Sequence, residues 1–170
     1  MIIRKTTYND IDEVMAVYAR ARAFMAEHGN PLQWGPTCWP PRELILKDIA
    51  EGKSYVCEDL GRIAGTFFFD MGWDVEPGYL NITGGKWKSD EVYGVIHRLA
   101  ASGIVKGVGE AAISWAKGKC GHLRIDTHGD NKVMQSLLSK LGFEKRGIIY
   151  VKEDNYPRLA YEIVCADDTI

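Results

Sequence analysis

The sequence predicts an α/β domain, a mixed sheet carrying helices on both faces, and three observations predict it. Apolar residues recur at three- and four-residue steps in four segments. Runs rich in β-branched and aromatic residues lie between them, and strands alternate with helices through the second half of the chain. The size suits that expectation. The 170 residues are 46% hydrophobic and 26% charged, enough to bury one core without disulfides or a metal, and a single domain over 1–170 is expected. Cys38, Cys57, Cys120 and Cys165 are never close enough for a Cys-x-x-Cys pair, so they are expected to be reduced and structural.

Ile2 to Arg4 open with a short strand, and Thr7-x-x-Asp10 resembles a capping box with Asp in the usual Glu position. Ile11, Val14, Met15, Tyr18, Ala21 and Met25 then form the apolar stripe of a first helix, which ends near His28-Gly29-Asn30-Pro31. Leu32 to Pro41, with Gly35, Pro36 and Pro40-Pro41, must be a loop. A second helix runs from about Arg42 to Gly52, with Leu44, Ile45 and Ile49 inward.

Tyr55–Cys57 and Ile63–Phe69 flank Asp59-Leu60-Gly61 and form an antiparallel hairpin. Met71 to Asp90 is expected to be irregular, with a short strand near Tyr79–Ile82. Tyr93–Ala100 is a strand. Val108, Ala111, Ala112, Trp115 and Ala116 mark a third helix, and His122–Thr127 a further strand. Val133, Met134, Leu137, Leu138 and Leu141 mark a fourth helix stopped by Gly142. Phe143–Val151 and Leu159–Val164 close the sheet.

Charge and hydropathy exclude several function classes. A formal net charge of −2 excludes a generally basic nucleic-acid binder. No apolar run approaches a membrane span and the amino terminus lacks a signal-peptide pattern, so a cytoplasmic protein without membrane partners is expected. The charge is nevertheless uneven. From Arg98 to Arg146 nine cations face four acids, a local +5, and the remainder carries −7. Cations thus gather where an anionic ligand would lie, and acids where a cationic amine would approach.

The most informative stretch is Leu99-Ala100-Ala101-Ser102-Gly103-Ile104-Val105-Lys106-Gly107-Val108-Gly109, between a strand and an amphipathic helix. The first turn of a helix carries N–H groups without intrahelical acceptors, and with the helix dipole they form a phosphate site. Gly107 and Gly109 remove side chains that would obstruct it. No carboxylate occurs between Arg98 and Gly109, and Lys106 adds a cation. The spacing matches neither a P-loop nor a dinucleotide fingerprint.

These residues resemble the cofactor motif of the GNAT superfamily of acyl-CoA-dependent N-acyltransferases, Gln/Arg-x-x-Gly-x-Gly/Ala, at Ile104-Val105-Lys106-Gly107-Val108-Gly109. A second match is Asn131-x-x-Met134-x-x-Leu137-Leu138-x-x-Leu141-Gly142-Phe143. The resemblance covers nearly the whole chain. It implies a GNAT-like fold, with a central, mostly antiparallel sheet and a splayed central strand, and acetyl-CoA as co-substrate without a metal. It further implies that the backbone of Leu99, Ala100 and Ala101 bonds the pantetheine arm and that the turn Ile104–Gly109 holds the pyrophosphate. Asn131 is implied as a pantetheine contact, with a helix cap as its other reading. Two positions depart from the family: Ile104 replaces its Arg or Gln, and Leu138 replaces the Tyr that many members use as general acid.

Acetyl transfer to an amine requires a proton acceptor and a donor for the leaving sulfur. His97, in the central strand, and His128, beside Asp126 and Asp130, are the candidate catalytic residues, and Tyr150 and Tyr156 are substitutes for the missing acid. Asp126-Thr127-His128-Gly129-Asp130 also has metal-ligand chemistry, although a β-to-α loop ordinarily carries such residues for turning and capping. Trp34, Trp39, Trp73 and Trp87 either wall an acceptor pocket or pin loops to the core. The expected function is N-acetyl transfer to a primary amine of a small molecule or peptide. A catalytically silent acyl-CoA binder is the alternative, and a nucleotide-binding regulator a weaker one. No nucleic-acid partner is expected, and a homodimer is admissible.

Overall fold

The computed structural model describes residues 1–152 and 156–165. Seven strands and four helices follow in the order β1 (Ile2–Lys5), α1 (Ile11–Glu27), α2 (Arg42–Ala50), β2 (Ser54–Asp59), β3 (Arg62–Gly72), β4 (Tyr93–Ala101), α3 (Val108–Lys117), β5 (His122–His128), α4 (Lys132–Lys140), β6 (Glu144–Tyr150) and β7 (Pro157–Val164). The strands lie in one mixed, mostly antiparallel sheet in the order β1-β2-β3-β4-β5-β7-β6. The chain clusters into two compact units. One comprises Met1–Phe69 with His97–Trp115, the other Asp70–Ile96 with the described residues from Ala116 onward.

In the first unit, the expected capping interaction precedes α1. The Asp10 carboxylate accepts the Thr7 N–H at 2.7 Å and the Thr7 hydroxyl at 2.9 Å. Arg4 donates to both Asp10 oxygens, and its guanidinium holds the carboxyl down to about 2. From α1, Ile11, Val14, Val17, Tyr18 and Ala21 pack with Ile45 and Ile49 of α2, Val56, Ile63 and Ala100. The opposite face of the same strands is aromatic. Trp115 of α3 meets Tyr55, Phe67 and Phe69 with ring centroids 4.7, 5.6 and 5.3 Å away.

One strand serves both faces because β3 carries a bulge. Its register against β2 shifts from Glu58↔Ile63 to Cys57↔Gly65, leaving Ala64 as the additional residue. Side-chain direction therefore changes phase there. Ile63 points to the α1–α2 side, and Phe67 and Phe69 to α3.

In the second unit, β4 and β5 run parallel, with Gly94↔Leu123 and Val95↔Arg124 as partners. β5 pairs along its whole length with β7 in antiparallel register, and β7 with β6. The strand β5 alternates strictly: Leu123 and Ile125 are apolar and buried, whereas His122, Arg124, Asp126 and His128 share the other face.

That polar face is not solvated. The segment before β4 lies on it: the Arg124 guanidinium sits between Trp87 and Tyr93, 4.3 and 4.1 Å from their centroids, and donates to the Ser89 carbonyl. Tyr79 donates its hydroxyl to Asp126 at 2.8 Å.

The strand expected near Tyr79–Ile82 is instead a 3₁₀ turn over Pro77–Asn81. Pro77 occupies the start of the turn, where its missing N–H costs nothing, and the Glu76 side chain accepts from Gly78 N–H. Tyr79 faces the β5 surface and is 1% exposed. Thr83, just beyond, forms an isolated bridge with Ile148.

Glu162 of β7, with a fully buried side chain, ties this unit together. It accepts from His122 Nε2 at 2.8 Å and from Lys88 N–H at 2.6 Å, with Arg124 Nε at 3.4 Å and Arg146 Nε at 3.1 Å. Burial alone would raise its pKa, but the His122 and Lys88 hydrogen bonds and the Arg124 charge outweigh it and hold the carboxyl below its ordinary value. A carboxyl with a depressed native pKa contributes stability above its unfolded pKa and loses it as pH falls through the native value. Unfolding by urea as a function of pH is therefore expected to show stability lost on the acid side of the ordinary Glu range. Glu162→Gln is expected to be less stable at pH 7 by about 3 kcal/mol, because a buried cation cluster loses its counter-charge, and to show a shallower acid-side decline. Equal stability of the two proteins at pH 7 would refute the assignment.

Candidate functional site

The first unit contains the end of β4 and the turn into α3. Ser102 donates its N–H to the Ala64 carbonyl at 2.8 Å, so the β3 bulge supplies an acceptor just after β4 ends. The Ser102 hydroxyl in turn accepts the Ile104 N–H at 3.3 Å. Gly103 and Gly107 have φ of 82° and 85°, a left-handed conformation that side chains other than Gly adopt at a cost. A Cβ on either would meet nothing within 4 Å, so the turn borders open space.

Ile104, Lys106 and Gly107 are exposed, and Val105 and Gly109 half-buried. Val108 is the anchor, 2% exposed. The Ala111 N–H bonds the Gly107 carbonyl, so the N–H groups of Val108, Gly109 and Glu110 stand ahead of that first helical hydrogen bond.

Gly65 sets how closely β3, β4 and α3 approach one another. A Cβ there would lie 2.3 Å from Val108 Cγ1 and 2.7 Å from the Ala100 carbonyl oxygen. A glycine inside an otherwise β-branched and aromatic strand was the available signal for such an approach.

β4 itself is bent. Arg98 has φ of 54°, left-handed in mid-strand. Its guanidinium donates to Asp48 Oδ2 of α2 at 2.6 Å, the two side chains being 10% and 6% exposed, and lies 4.6 Å from the Phe68 centroid. Its carbonyl accepts the Tyr18 hydroxyl of α1 at 3.0 Å. Burial raises the Asp48 pKa, opposed by the Arg98 charge, and burial also raises that of Tyr18. His97, just before the bend, is half-buried with its ring 5.9 Å from Phe68 and a buried Nε2. Leu99 is half-buried, Ala100 buried and Ala101 exposed.

The second unit contains His128, Asn131, Tyr150 and Tyr156. His128 ends β5, buried, with its ring 5.4 Å from that of Tyr156 in edge-on geometry. Its Nδ1 accepts the Asp130 N–H at 3.1 Å and lies 3.6 Å from the Asp130 carboxylate. Asn131 caps α4, its Oδ1 accepting the Met134 N–H at 3.1 Å. Leu138 is fully buried and offers no proton. Tyr150 and Tyr156 are 56% and 40% exposed, and of the two only Tyr156 is seen against His128.

The tryptophans separate the two readings made of them. Trp34 is buried against Tyr18 with centroids 5.9 Å apart, Trp39 packs on the same core, and Trp87 donates its indole N–H to the Tyr79 carbonyl at 2.8 Å. These three pin loops, and Trp73 alone of the four is exposed, at 69%. Among the described residues no group of three His, Cys, Asp or Glu side chains is placed to hold a metal, and no helix is long and apolar enough to cross a membrane. All four cysteines are free thiols.

The structure therefore brings Leu99–Ala101 and the 104–109 turn together with His97 in one unit, and His128 with Asn131 in the other. The sequence did not single out Asp48, Gly65 or Ser102 for this site, nor Tyr18 for more than a place on the α1 stripe.

No protein-family model and no curated protein matches the sequence. Solved structures do. An acetyltransferase of the GNAT family from Streptococcus agalactiae 2603 is 32% identical over 96% of this chain and 94% of its own, with a TM-score of 0.84. A protein from Staphylococcus aureus MU50 described as a candidate acetyltransferase is 27% identical over 95% and 97%, with a TM-score of 0.67. The ribosomal-protein-alanine N-acetyltransferase of Brucella melitensis, 16% identical over 96% and 99% with a TM-score of 0.61, shares the fold.

Gly65→Ala is expected to cost about 1–3 kcal/mol in urea unfolding, since its methyl would have to displace Val108 or the Ala100 carbonyl. A variant as stable as the parent would show that β3, β4 and α3 are not so closely set.

Proposed function

Because the chain belongs to the GNAT family of acetyltransferases, we propose that it transfers an acetyl group from acetyl-CoA to a primary amine of a small molecule or peptide, both substrates being bound together. The observation that carries this reading is the turn from Gly103 to Gly109, which combines two left-handed glycines, open space at both, and α3 amides ahead of the first helical bond. These features suit a diphosphate, whose charge the helix N-terminus and Lys106 complement. In this reading the amides of Val108 and Gly109 hold the diphosphate. Ile104 contributes less than the resemblance implied, because its N–H is directed to Ser102.

The thioester supplies an activated acyl carbon. The chain's own residues hold it and handle protons. Main-chain groups of Leu99, Ala100 and Ala101 orient the pantetheine arm, and an N–H there polarises the acyl carbonyl. Asn131, implied by the resemblance as a pantetheine contact, caps α4 through its Oδ1. His97 takes the proton from the attacking amine. His128, in the second unit with Tyr156 against its ring, is the other candidate catalytic residue.

Full burial of Leu138 supports the second reading, a catalytically silent acyl-CoA binder, since the position where many members carry the acid has no hydroxyl. Calorimetry with CoA and free-thiol release over a panel of primary amines separate the two. Binding with thiol release is expected. Binding without release for any acceptor would favour the silent binder, and a folded chain that takes up no CoA would overturn both. Gly107→Val is expected to weaken CoA binding at least about tenfold, because a β-branched residue resists the left-handed conformation and fills the space reserved for the anion. Unchanged affinity in the folded variant would remove the turn from the site. The pH–rate profiles of His97→Ala and His128→Ala are each expected to lose an ionisation, and a profile identical to the parent's would remove that histidine from the mechanism.

A further inference from the structure

The bend in β4 is held from three directions by residues far apart in sequence. Arg98 adopts φ of 54°, although neither His97-Arg98-Leu99 nor any neighbouring glycine calls for a left-handed residue in mid-strand. A non-glycine residue keeps such a conformation only where its surroundings over-determine it, and here they do. The carbonyl accepts from Tyr18, the guanidinium is paired with Asp48 in near-complete burial, and Phe68 covers the cation. Two of these partners come from the first two helices and one from β3. The residue immediately after the bend is Leu99, the first of the three whose main-chain groups face the cofactor in the reading above.

We propose that Tyr18 and Asp48 are positioning residues for the cofactor strand, locking Arg98 in its left-handed conformation so that the main chain of Leu99 to Ala101 is aimed at the pantetheine arm. The inference rests on the acetyl-CoA reading. It assigns the buried pair a role beyond stability: what matters to the ligand is the backbone angle at residue 98, and the side chains serve to fix it.

That distinction makes it testable. In an Asp48→Asn background, which removes the buried carboxylate left behind when the guanidinium goes, Arg98→Gly loses every side-chain contact yet accepts the positive φ without strain. Arg98→Val loses the same contacts and resists it. CoA affinity is measured by calorimetry on the full chain, with circular dichroism checking the fold.

The glycine double variant is expected to bind within about threefold of the parent and the valine double variant at least about tenfold more weakly, a rescue that a merely structural role for the pair would not produce. Tyr18→Phe, which keeps the ring and removes only the hydroxyl, is expected to weaken binding about three- to tenfold and decides the matter if the valine protein does not fold. Equal losses in the glycine and valine proteins, or unchanged CoA affinity in Tyr18→Phe, would overturn the proposal while leaving the acetyl-CoA reading intact. A parent chain that binds no CoA would overturn that reading, and this proposal with it.

Discussion

A carboxylate withdrawn from water keeps its charge only where cations and N–H groups replace the lost hydration, and each compact unit is built around one. In the first, Asp48 of α2 meets Arg98 at 2.6 Å and so fastens a helix to the bent strand. In the second, Glu162 collects His122, Arg124, Arg146 and the Lys88 N–H. The two solutions differ in kind. Asp48 has one cation, and burial raises its pKa despite that partner. Glu162 has three basic side chains and a backbone donor, and its pKa is lowered despite full burial. A single pair leaves the carboxyl poorly compensated, whereas a cluster overcompensates it.

The same contrast explains how loops are fixed to strands. The segment before β4 has little regular structure of its own, yet Trp87 stacks on Arg124, Tyr79 bonds Asp126, and Lys88 bonds Glu162. Each contact joins an aromatic or polar group of the segment to the charged face of β5 or its partner β7. Polar side chains on β5 thus do the work that apolar ones do elsewhere. Arg124 gains two aromatic faces in exchange for water, and His122, Arg124 and His128 of that stripe become interior.

Helices and most strands were legible because their periodicity is local. The stripe of α1, the breaks at Gly52 and Gly142, and the hairpin around Asp59-Leu60-Gly61 all appear within two residues of their expected places. The glycine turn at 103–109 was legible too, since glycine spacing at a strand–helix junction is a local property. What the sequence hid is what distant residues impose. Nothing adjacent to Arg98 asks for a left-handed residue; Tyr18 and Asp48, 80 and 50 positions away, impose it. The sequence marked β5 as a strand but not the cover on its polar face, because the segment that provides it has no pattern of its own. Tyr79–Ile82 read as a strand because its residues are β-formers, but Pro77 and the Tyr79–Asp126 bond committed it to a tight turn. The contact of the Asp130 N–H with His128 Nδ1 is likewise one that residue spacing alone does not fix.

The bulge at Ala64 has a bearing on how this strand can diverge. It works as a phase marker: Ile63 before it answers to α1 and α2, Phe67 and Phe69 after it to the aromatic layer under α3, and its carbonyl also receives Ser102 at the mouth of the glycine turn. Losing or gaining one residue between Ile63 and Phe67 would exchange the two allegiances, turning Phe67 and Phe69 toward the helical pair and moving the acceptor that tethers the turn. The exposed hairpin tip at Leu60-Gly61 has no such duty. Descendants of this chain can therefore vary in length at the tip, whereas the few residues between it and Phe67 form a ruler whose count must be kept.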